Sequence, residues 1–573
     1  MRIHRVCLDR LLRAALAICA ALALSSAPAP AWADEEAAPA VDTAEGAEAP
    51  EAEDAETAGE DCPPFEAVGI GGWFSSSGGA IRGSVAAIGE QESALDKLDA
   101  VFGVPVTIMA VVMFADLLPG PGEVPFIVIW LFIGAVFLTV RMGFINIRGF
   151  RHAIDVVRGT YDNPDDEGEV SHFQALASAL SATVGLGNIA GVAIAVSVGG
   201  PGAIFWMIVA ALFGMTAKFT ECTLGQKYRV VDEEGAVSGG PMRYLKAGLE
   251  EKGMSKLGAA LSVIFAVFCI GGSFGGGNMF QANQAYSAVN ESLVNNTGIT
   301  EFPSWIFGIC MAAAVAVVIL GGIKRIASTA EKIVPAMCGM YLVAALFIVF
   351  TNISQVPHAI DVILSSAFGK DAMCGGMIGA MIQGIRRAAF SNEAGVGSAS
   401  IAHSAAKTEY PVREGLVALL EPFIDTIIVC FATGIVIVVS GVLEDPTLAD
   451  GEAAVLTLRA FEQTISWFPL VLTLAIVLFA FSTMISWSYY GERCWTNLFG
   501  AKSALSYRIV FIAFVFIGSV IKLGNVIDFS DLMILSMAFP NILGLYILSS
   551  DVRADLDAYM AKLRSGEMKR YDG

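Results

Sequence analysis

Eleven apolar stretches, each long enough to cross a lipid bilayer, follow one another between residues 126 and 548. A membrane-spanning helix needs about twenty predominantly apolar residues, and the whole chain is 55% hydrophobic but only 16% charged. In lipid, backbone polar groups must bond within their own segment, so these stretches are predicted to be helices of an all-α polytopic membrane protein. The predicted spans are Phe126–Met142, Phe173–Val198, Ala203–Gln226, Leu257–Leu293, Trp305–Ile323, Ile333–Thr351, Met373–Ala402, Val417–Val442, Trp467–Glu492, Arg508–Leu523 and Val526–Leu548.

The N-terminal part of the chain differs in composition from the spans. A basic start, a short apolar run and the sequence Ala31-Trp32-Ala33 predict a cleaved secretory signal, with an uncleaved anchor helix as the alternative. The next segment holds twelve carboxylates and no basic residue between Asp34 and Asp61, which accounts for much of the net charge of −20. The predicted organisation is a signal peptide (1–33), a disordered periplasmic leader that is acidic and rich in Gly and Ser (34–100), an interfacial or re-entrant segment (101–125), a transporter domain (126–552) and a cytoplasmic tail (553–573).

Positive charge predicts the orientation of the chain. Basic residues gather in alternate connecting segments, for example Arg141–Arg158 and Lys227–Lys256, whereas Asn295–Pro303 has none. Because Lys and Arg concentrate in cytoplasmic loops, the N-terminus is predicted to be periplasmic and the C-terminus cytoplasmic, in a bacterial inner membrane. With that orientation only an odd number of spans can precede Phe173, so Val101–Leu118 is predicted not to cross the membrane.

Two glycine-rich stretches occupy matching places in the series of spans. Without the first span, ten remain as five plus five, and the odd number gives the two halves opposite orientations. The first span of each half holds the pattern glycine, aliphatic, glycine, small polar: Gly185-Leu186-Gly187-Asn188 and Gly395-Val396-Gly397-Ser398. Inverted repeats with interrupted helices bind their substrates where the two repeats meet. The pattern therefore predicts one binding site between two broken helices.

The first of these breaks offers groups for both an ion and a zwitterion. Glycines weaken a helix, so Gly185 and Gly187 favour an unwound turn whose free N–H groups suit a carboxylate. Free carbonyls with the side chains of Thr183 and Asn188 suit a sodium ion or an ammonium group. The alternative, close packing of small residues between helices, gives no role to Asn188 in the middle of the membrane.

Ionisable residues surround the second break. Arg386, Arg387 and Glu393 lie in an otherwise apolar stretch, where charges are costly and are usually functional or paired. Glu421 and Asp425 are four residues apart on the next span, so we expect them to pair with the two arginines. The roles left open are an ion-pair or cytoplasmic gate and direct contact with the substrate.

Polar residues on two further spans complete the candidate groups. Ser482 and Thr483 offer hydroxyl oxygens for a dehydrated cation, with bonding back to their own helix as the alternative. Trp487 and Tyr490 are predicted to form a pocket wall or, alternatively, part of an interfacial aromatic belt. Lys218 and Glu221, one turn apart, are predicted to pair with each other or to extend to the membrane surface.

Other classes of function lack support in the sequence. The histidines are dispersed, the ten cysteines show no CxxC spacing, and we find no catalytic triad, phosphate loop or metal cluster. The sequence thus predicts a protein that is not an enzyme, has no cofactor, binds no metal other than sodium, and has no nucleic-acid partner.

Three blocks of sequence resemble the alanine/glycine:cation symporter family: ATVGLGNIAGV (182–192), GGPGAIFWMIVAALFG (199–214) and RRAAFSNEAGVGSASIAH (386–403). LEPFIDT (420–426) and FSTMISWSYYGE (481–492) support the resemblance, which implies a LeuT-type 5+5 fold with one extra N-terminal helix and sodium-coupled uptake of a small neutral amino acid. It places the substrate carboxylate at Gly185–Asn188, with Phe390, Asn392 and Trp487 around the remaining pocket. It places a sodium ion at carbonyls of Ser181–Val184 together with Ser482 and Thr483.

The combined expectation is a symporter that imports alanine or glycine by alternating access, with Na+ as coupling ion. Its partners are the amino acid, Na+ and the lipid bilayer, and its functional unit is expected to be a monomer. Two alternatives stay open: a proton-coupled amino-acid transporter, and a channel or sensor on the same fold. A site at mid-depth without a ring of pore-lining polar residues argues against a channel.

Overall fold

The structure is a computed structural model that describes residues 125–163, 165–231, 237–297, 299–369, 376–444, 453–465 and 468–571. The predicted signal peptide (1–33), the leader (34–100) and residues 101–124 of the predicted interfacial segment lie outside the described residues. Those predictions therefore stay predictions.

Nearly all the described chain is helical. The helices are α1 (Phe126–Arg141), α2 (Ile145–Arg148), α3 (Phe150–Val157), α4 (His172–Thr183), α5 (Ala190–Gly199), α6 (Gly202–Lys227), α7 (Pro241–Glu251), α8 (Ser255–Phe274), α9 (Phe280–Thr297), α10 (Ser304–Ile319), α11 (Gly322–Thr351), α12 (Val356–Phe368), α13 (Gly376–Asn392), α14 (Ala399–His403), α15 (Pro411–Ala418), α16 (Leu420–Pro422), α17 (Phe431–Val439), α18 (Ala453–Glu462), α19 (Pro469–Phe499), α20 (Ala504–Val520) and α21 (Leu523–Ser565). One small antiparallel hairpin, β1 (Val230–Val231) with β2 (Val237–Ser238), follows α6.

Length and apolarity identify the membrane-crossing helices. Among the described residues, 7 helices are long and apolar enough to cross a membrane, and a bent pair of helices brings the number to 8. Three shorter apolar helices, α1, α10 and α12, accompany them. The fold is thus an all-α polytopic membrane protein, as predicted, while the count of eleven spans stays a prediction.

The first predicted break is present in the structure. Helix α4 starts with a capping box in which Ser171 and Gln174 bond to each other's backbone N–H groups. It ends at Thr183, and a 3-10 turn at Leu186–Asn188 leads into α5, with a bend of 58° between the two arms. A bend of this size at mid-span exposes backbone groups that an intact helix would bond internally.

The second predicted break lies between α13 and α14. Three residues there have left-handed backbone conformations: Glu393 (φ 55°), Gly395 (φ 80°) and Gly397 (φ 98°). Glycine adopts such angles without penalty, whereas Glu393 is in a conformation that a side chain disfavours. With a broken helix opening each half, the described helices have the discontinuous-helix arrangement of a LeuT-type fold.

Two π-helical segments were not predicted. One, Gly275–Met279, joins α8 to α9, and the other, Phe423–Cys430, joins α16 to α17. A π-turn widens a helix by one residue and is frequent at functional sites. Both segments are buried in large part and both border the helix breaks.

Packing brings the two broken helices into contact. Helix α13 packs against α5 and α6, while α4 packs against α11 and α19. Helix α8 packs against α19 and α21, and α10 against α20. The apolar core is continuous through these helices, so both breaks lie inside it.

Candidate substrate and ion site

The first break touches the helical turn that precedes the second break. A β-carbon placed on Gly187 would lie 3.3 Å from the Cα atom of Ser391 and 3.5 Å from Cδ1 of Phe390. Gly187 belongs to the first break, and Phe390 and Ser391 lie in the last turn of α13 just before the second. All three residues are buried. The glycines of the second break, Gly395 and Gly397, instead face Ile542 and Asn541 of α21, so a site shared by both glycine patterns stays a prediction.

Asn188 organises the first break through its side-chain amide. Its Oδ1 accepts the N–H of Gly185 at 2.8 Å, which closes the unwound turn. Its Nδ2 donates to Oδ1 of Asp425 at 2.6 Å and to the Asp425 carbonyl at 3.0 Å. The other carboxylate oxygen of Asp425 accepts the Ser391 hydroxyl at 2.9 Å. Asp425 therefore links the first break to the last turn of α13.

Gln281 occupies the open side of the same turn. Its Oε1 accepts the N–H of Leu186 at 3.1 Å, and its Nε2 donates to the Gly276 carbonyl at 2.8 Å. One amide thus joins the first break to the π-helical segment Gly275–Met279. The sequence analysis missed this contact, although three consecutive glycines at 275–277 were a visible signal of irregular backbone.

The residues predicted for sodium lie together. Ser181 donates its hydroxyl to the Ser482 carbonyl at 2.8 Å, and Thr483 donates its hydroxyl to the Ser181 carbonyl at 3.2 Å. The Ser482 hydroxyl bonds back to the Phe479 carbonyl of its own helix at 2.9 Å, which is the alternative noted for it. Val184 follows at the end of α4 and is fully buried. Hydroxyl and carbonyl oxygens from two helices converge here, the ligand type that a sodium ion requires.

Thr183 and Gly185 have different surroundings. The Thr183 hydroxyl bonds back to the Ala179 carbonyl at 3.3 Å within α4. At Gly185 a β-carbon would lie 2.3 Å from Oγ1 of Thr483, so only glycine allows the turn to approach α19 this closely. Because Gly185 has no side chain, the hydroxyl and carbonyl oxygens of Ser181 and Thr483 lie next to the unwound turn.

The second break holds the remaining predicted pocket residues. Asn392 donates to Oγ1 of Thr426 at 2.9 Å and accepts the N–H of Ala394 at 3.0 Å. Trp487 donates its indole N–H to Oε1 of Glu393 at 2.9 Å. Tyr490 stacks edge-on against Trp487, with ring centroids 5.4 Å apart. These aromatic rings are buried at the breaks, so they are not part of an interfacial belt.

Trp487 also packs against the three consecutive glycines at 275–277, here called the glycine triplet. A β-carbon on Gly277 would lie 2.3 Å from Cγ of Trp487, and one on Gly276 would lie 3.2 Å from the Phe390 ring. Phe390 in turn packs edge-on against Phe280, with centroids 5.2 Å apart. The backbone at Gly276 and Gly277 is therefore in close contact with both aromatic rings.

The predicted pairing of the arginines was wrong. Arg386 and Arg387 both bond to Asp531 on α21 and not to Glu421 or Asp425. Arg387 also lies over the Phe390 ring, 5.3 Å from its centroid. Helical spacing shows which residues share a face, but it does not show which helix faces them, and α21 is the neighbour here.

The predicted partners of Lys218 and Glu421 were wrong too. Lys218 is fully buried and lies 3.1 Å from Oε2 of Glu421, so it neither pairs solely with Glu221 nor extends to the surface. Glu221 accepts from Asn541 at 3.1 Å. Lys218 is therefore an interior charge that compensates a carboxylate on the neighbouring helix.

Two histidines that are far apart in sequence meet at one carboxylate. Glu414 bonds to Nδ1 of His172 at the start of α4 and to Nδ1 of His403 at the end of α14. The Nε2 atom of His403 bonds to Oε1 of Glu421. The sequence analysis treated the histidines as dispersed. Opposite orientation of the two halves puts the start of one broken helix beside the end of the other.

One group of described residues has donor atoms close enough for a metal ion. The donor atoms of Cys222, His403 and Glu421 lie within 4.8 Å of one another. Both ring nitrogens of His403 already bond to carboxylates, and the Lys218 ammonium lies beside Glu421. A cation would have to displace these partners, so the arrangement suits shared protons better than a metal ion.

Two interrupted helices that meet at mid-span, with convergent oxygens beside an unwound turn, define a secondary transporter. The comparisons with known proteins agree and are more specific. A profile of the sodium:alanine symporter family matches residues 108–572, and the chain belongs to that family. It is thus a transporter and not an enzyme.

Relatives whose names state a function match most of this chain. The sodium/alanine symporter of Methanococcus maripaludis is 42% identical over 446 residues, which are 78% of this chain and 96% of that protein. A Bacillus subtilis protein named "Probable sodium/glutamine symporter GlnT" is 35% identical over 75% of this chain and 87% of its own length. The amino-acid carrier protein AlsT of Bacillus subtilis is 36% identical over 72% of this chain and 85% of that protein.

Solved structures of transporters are more distant. MhsT in complex with L-phenylalanine matches 68% of this chain and 99% of its own, with 16% identity and a TM-score of 0.39. A manganese transporter of Eremococcus coleocola matches 69% of this chain and 88% of its own, with 12% identity and a TM-score of 0.43.

Proposed function

We propose that the protein imports a small neutral amino acid, alanine or glycine, together with Na+ by alternating access. The observation that carries this proposal is the contact of the first helix break with the turn just before the second, Gly187 against Phe390 and Ser391. Backbone groups freed by the first break lie beside this contact, away from water and inside the core. A site of this kind can bind a zwitterion mainly through main-chain groups and needs few side chains.

The unwound turn supplies the site for the substrate carboxylate. The N–H groups of Gly185 and Leu186 bond to the amide oxygens of Asn188 and Gln281 in this structure. A substrate carboxylate oxygen replaces the Gln281 oxygen at the N–H of Leu186 without leaving that N–H unpaired, while Asn188 keeps its bond to the N–H of Gly185 and holds the shape of the turn. The substrate ammonium group then faces the side of Phe390 and Asn392.

The size of the substrate follows from the glycine triplet and its aromatic neighbours. Trp487 lies against Gly277, and Phe390 lies against Gly276, so the space beside the breaks is narrow. One extra methylene in such a pocket changes binding by about 1–3 kcal/mol. We therefore expect alanine and glycine to be preferred over leucine and over glutamine.

The coupling ion is assigned to the oxygens of Ser181, Val184, Ser482 and Thr483. The hydrogen bonds Ser181–Ser482 and Thr483–Ser181 join α4 to α19 at the end of the first arm. A sodium ion at this point holds the two helices together while the substrate is bound, which couples the ion to the amino acid. No further cofactor is required.

The membrane arrangement completes the proposal. The chain is an integral membrane protein, and the distribution of Lys and Arg supports the inner membrane of a bacterium with the C-terminus in the cytoplasm. Ser171–Ser181 and His403–Glu421 then approach the site from the cytoplasmic side. The proposed functional unit is a monomer, since all the groups above come from one chain.

Purified full-length protein in liposomes tests this function. Labelled alanine should accumulate when an inward Na+ gradient is imposed, unlabelled glycine should compete, and K+ should not replace Na+. The ion site is tested with Thr483→Val, which keeps the shape of the side chain but removes the hydroxyl. It should raise the Na+ concentration needed for half-maximal uptake by about tenfold or more, since a lost ligand is worth a hydrogen bond to a charged group.

Thr351→Val is the matched control, because Thr351 is exposed and, among the described residues, its hydroxyl bonds only to the last turn of its own helix and to the adjoining Asn352. It should leave the Na+ dependence unchanged. Uptake driven equally well by a proton gradient without Na+ would contradict the assignment of the ion. No accumulation of either amino acid under any gradient would contradict the function.

A further inference from the structure

Two arginines converge at the end of α1, where the chain turns into α2. A β-carbon placed on Gly143 would lie 3.2 Å from Nη2 of Arg148 and 3.0 Å from Nη1 of Arg553. Gly143 has a left-handed backbone (φ 63°) and no side chain, so both guanidinium groups can approach the same place. Arg148 is at the end of α2 and Arg553 is on α21, so the fold, and not the local sequence, brings them together.

The packing of α1 against α21 explains why Arg553 reaches this turn. Trp130 lies against Phe539 with ring centroids 5.9 Å apart, and Phe137 lies against Tyr546 with centroids 4.8 Å apart. Both contacts advance in the same direction along the two helices, so α1 and α21 run parallel. Helix α21 continues beyond the end of α1 and presents Arg553 there.

Positive charge is in excess at this turn. Arg141, the last residue of α1, and Arg148 are exposed, and the side chain of Arg553 is 32% exposed. Among the described residues, only Arg553 of these three pairs with a carboxylate, that of Asp557 at 2.8 Å. Three guanidinium groups and one carboxylate leave a positive cluster that attracts an anion from outside the protein.

The arginines keep donors for such an anion. Nη2 of Arg148 donates to the Met142 carbonyl at 3.2 Å, and Nη1 of Arg553 donates to the Arg141 carbonyl at 3.1 Å. These bonds satisfy carbonyls at the end of α1 that have no partner within the helix. A guanidinium has several N–H donors in a planar fork, which matches the oxygens of a phosphate group in pairs. The described bonds use only part of each fork.

An exposed apolar stripe leads along α1 to the cluster. Ile133, Phe137 and Val140 are exposed at intervals of one helical turn, so they share one face of α1. Beyond the end of the helix, the stripe continues with Phe144 and Ile147, which are 48% and 72% exposed. Apolar side chains on the outside of a membrane-spanning helix contact acyl chains. The stripe therefore joins the acyl region of the bilayer to the arginine cluster.

We propose that Arg148 and Arg553, with Arg141 beside them, bind the phosphate of an anionic phospholipid whose acyl chains lie along the stripe that ends at Phe144 and Ile147. Phosphatidylglycerol has this chemistry. A zwitterionic phospholipid carries a phosphate too, but its ammonium group is repelled by the excess positive charge. This lipid site is separate from the substrate and ion site, and it does not depend on the proposed function.

The position of the cluster favours a lipid over a soluble phosphate, which presents the same oxygens. Arginines at the end of an apolar helix lie at the depth of the lipid headgroups. A soluble phosphate would leave Phe144 and Ile147 in water, whereas a lipid covers both side chains. Charge and apolar surface are therefore used together only by a lipid.

Binding is measured by native mass spectrometry of the full-length protein in a neutral detergent. Phosphatidylglycerol and phosphatidylethanolamine with identical acyl chains are titrated separately. Phosphatidylglycerol should bind at least about fivefold more tightly, the factor that one basic residue contributes at an anionic membrane surface. An excess of inorganic phosphate should not displace it. Equal binding of the two lipids, or displacement by an equal concentration of inorganic phosphate, would overturn the proposal.

Two charge variants locate the site. Arg148→Gln and Arg553→Gln should each weaken phosphatidylglycerol binding by about fivefold or more. Arg564→Gln is the matched control, because it removes the same charge from an exposed position farther along α21. It should leave the affinity unchanged. An equal affinity in Arg148→Gln, Arg553→Gln and Arg564→Gln contradicts the site.

Phe144→Ser tests the apolar half without any change in charge. It should weaken phosphatidylglycerol binding by about tenfold, since a phenylalanine ring loses its contact with the lipid. Unchanged affinity in this variant would overturn the contact between the stripe and the lipid. Melting temperatures show that each variant is folded. Should an arginine variant fail to fold, Phe144→Ser and the comparison of the two lipids still decide.

Discussion

Asn188 is the residue whose loss should be most informative about the site. Its amide accepts the N–H of Gly185 and donates twice to Asp425, at distances of 2.6–3.0 Å. Asn188→Ala removes these three bonds but leaves the backbone of the turn and all apolar contacts of Cβ. The buried N–H of Gly185 and the carboxylate of Asp425 then each lose a partner.

The size of the effect follows from these two groups. A buried polar group without a partner costs about 1–3 kcal/mol, so the two together cost about 2–6 kcal/mol. About 1.4 kcal/mol corresponds to a factor of ten, so the lower limit alone weakens alanine binding at least about thirtyfold if it falls on the bound state. Any part of this free energy that destabilises the folded protein as a whole, and not the bound state alone, lowers the melting temperature.

Both quantities are measured on one preparation, with thermal unfolding in detergent and labelled alanine uptake in liposomes. Asn295→Ala is the control, because Asn295 is exposed and, within the described part of the chain, bonds only to Glu291 on its own helix. It should change neither quantity. If Asn188→Ala has the same alanine affinity and the same melting temperature as the original protein, the idea that this amide holds the break open is refuted.

Three further perturbations have defined outcomes. Gly277→Ala places a methyl group 2.3 Å from the Trp487 ring and should abolish alanine uptake while the protein still inserts, as measured by uptake and by yield from membranes. Asp531→Asn leaves the buried cation of Arg387 without its counter-charge and should destabilise the fold by about 3–5 kcal/mol, seen as a lower melting temperature. Burial lowers the pKa of His152 from 6.5 to about 4, so the folded state binds fewer protons than the unfolded one in that range. Stability should therefore fall as the pH drops from 6.5 to 4, and His152→Gln should flatten that dependence, as measured by unfolding at each pH.

Much of the candidate site was predictable because its signals are local. Glycines within an apolar span indicate a weak helix wherever they occur, so Gly185 and Gly395 marked both breaks without any tertiary information. Counting spans then gave the two halves opposite orientation, and the contact of Gly187 with Phe390 and Ser391 agrees with a shared site. The glycine triplet carried the same kind of signal and was overlooked.

The partners of the charged residues were not predictable in the same way. Arg387 lies about one hundred and forty residues from Asp531, and nothing in the spacing of either residue shows that α13 and α21 are neighbours. The choice of Glu421 or Asp425 as its partner relied on proximity in sequence, which does not determine helix packing. The meeting of His172 and His403 at Glu414 was partly accessible, since the charge pattern put both histidines on the cytoplasmic side.

Counterflow tests most directly the claim that two helix breaks form one site with alternating access. Liposomes that contain the protein are loaded with unlabelled alanine at high concentration and diluted into a trace of labelled alanine, with equal Na+ and no voltage. A carrier with a single alternating site exchanges labelled for unlabelled alanine, so label should rise inside above its outside concentration and then decline. A monotonic approach to equal concentrations, as through a channel, would contradict the account.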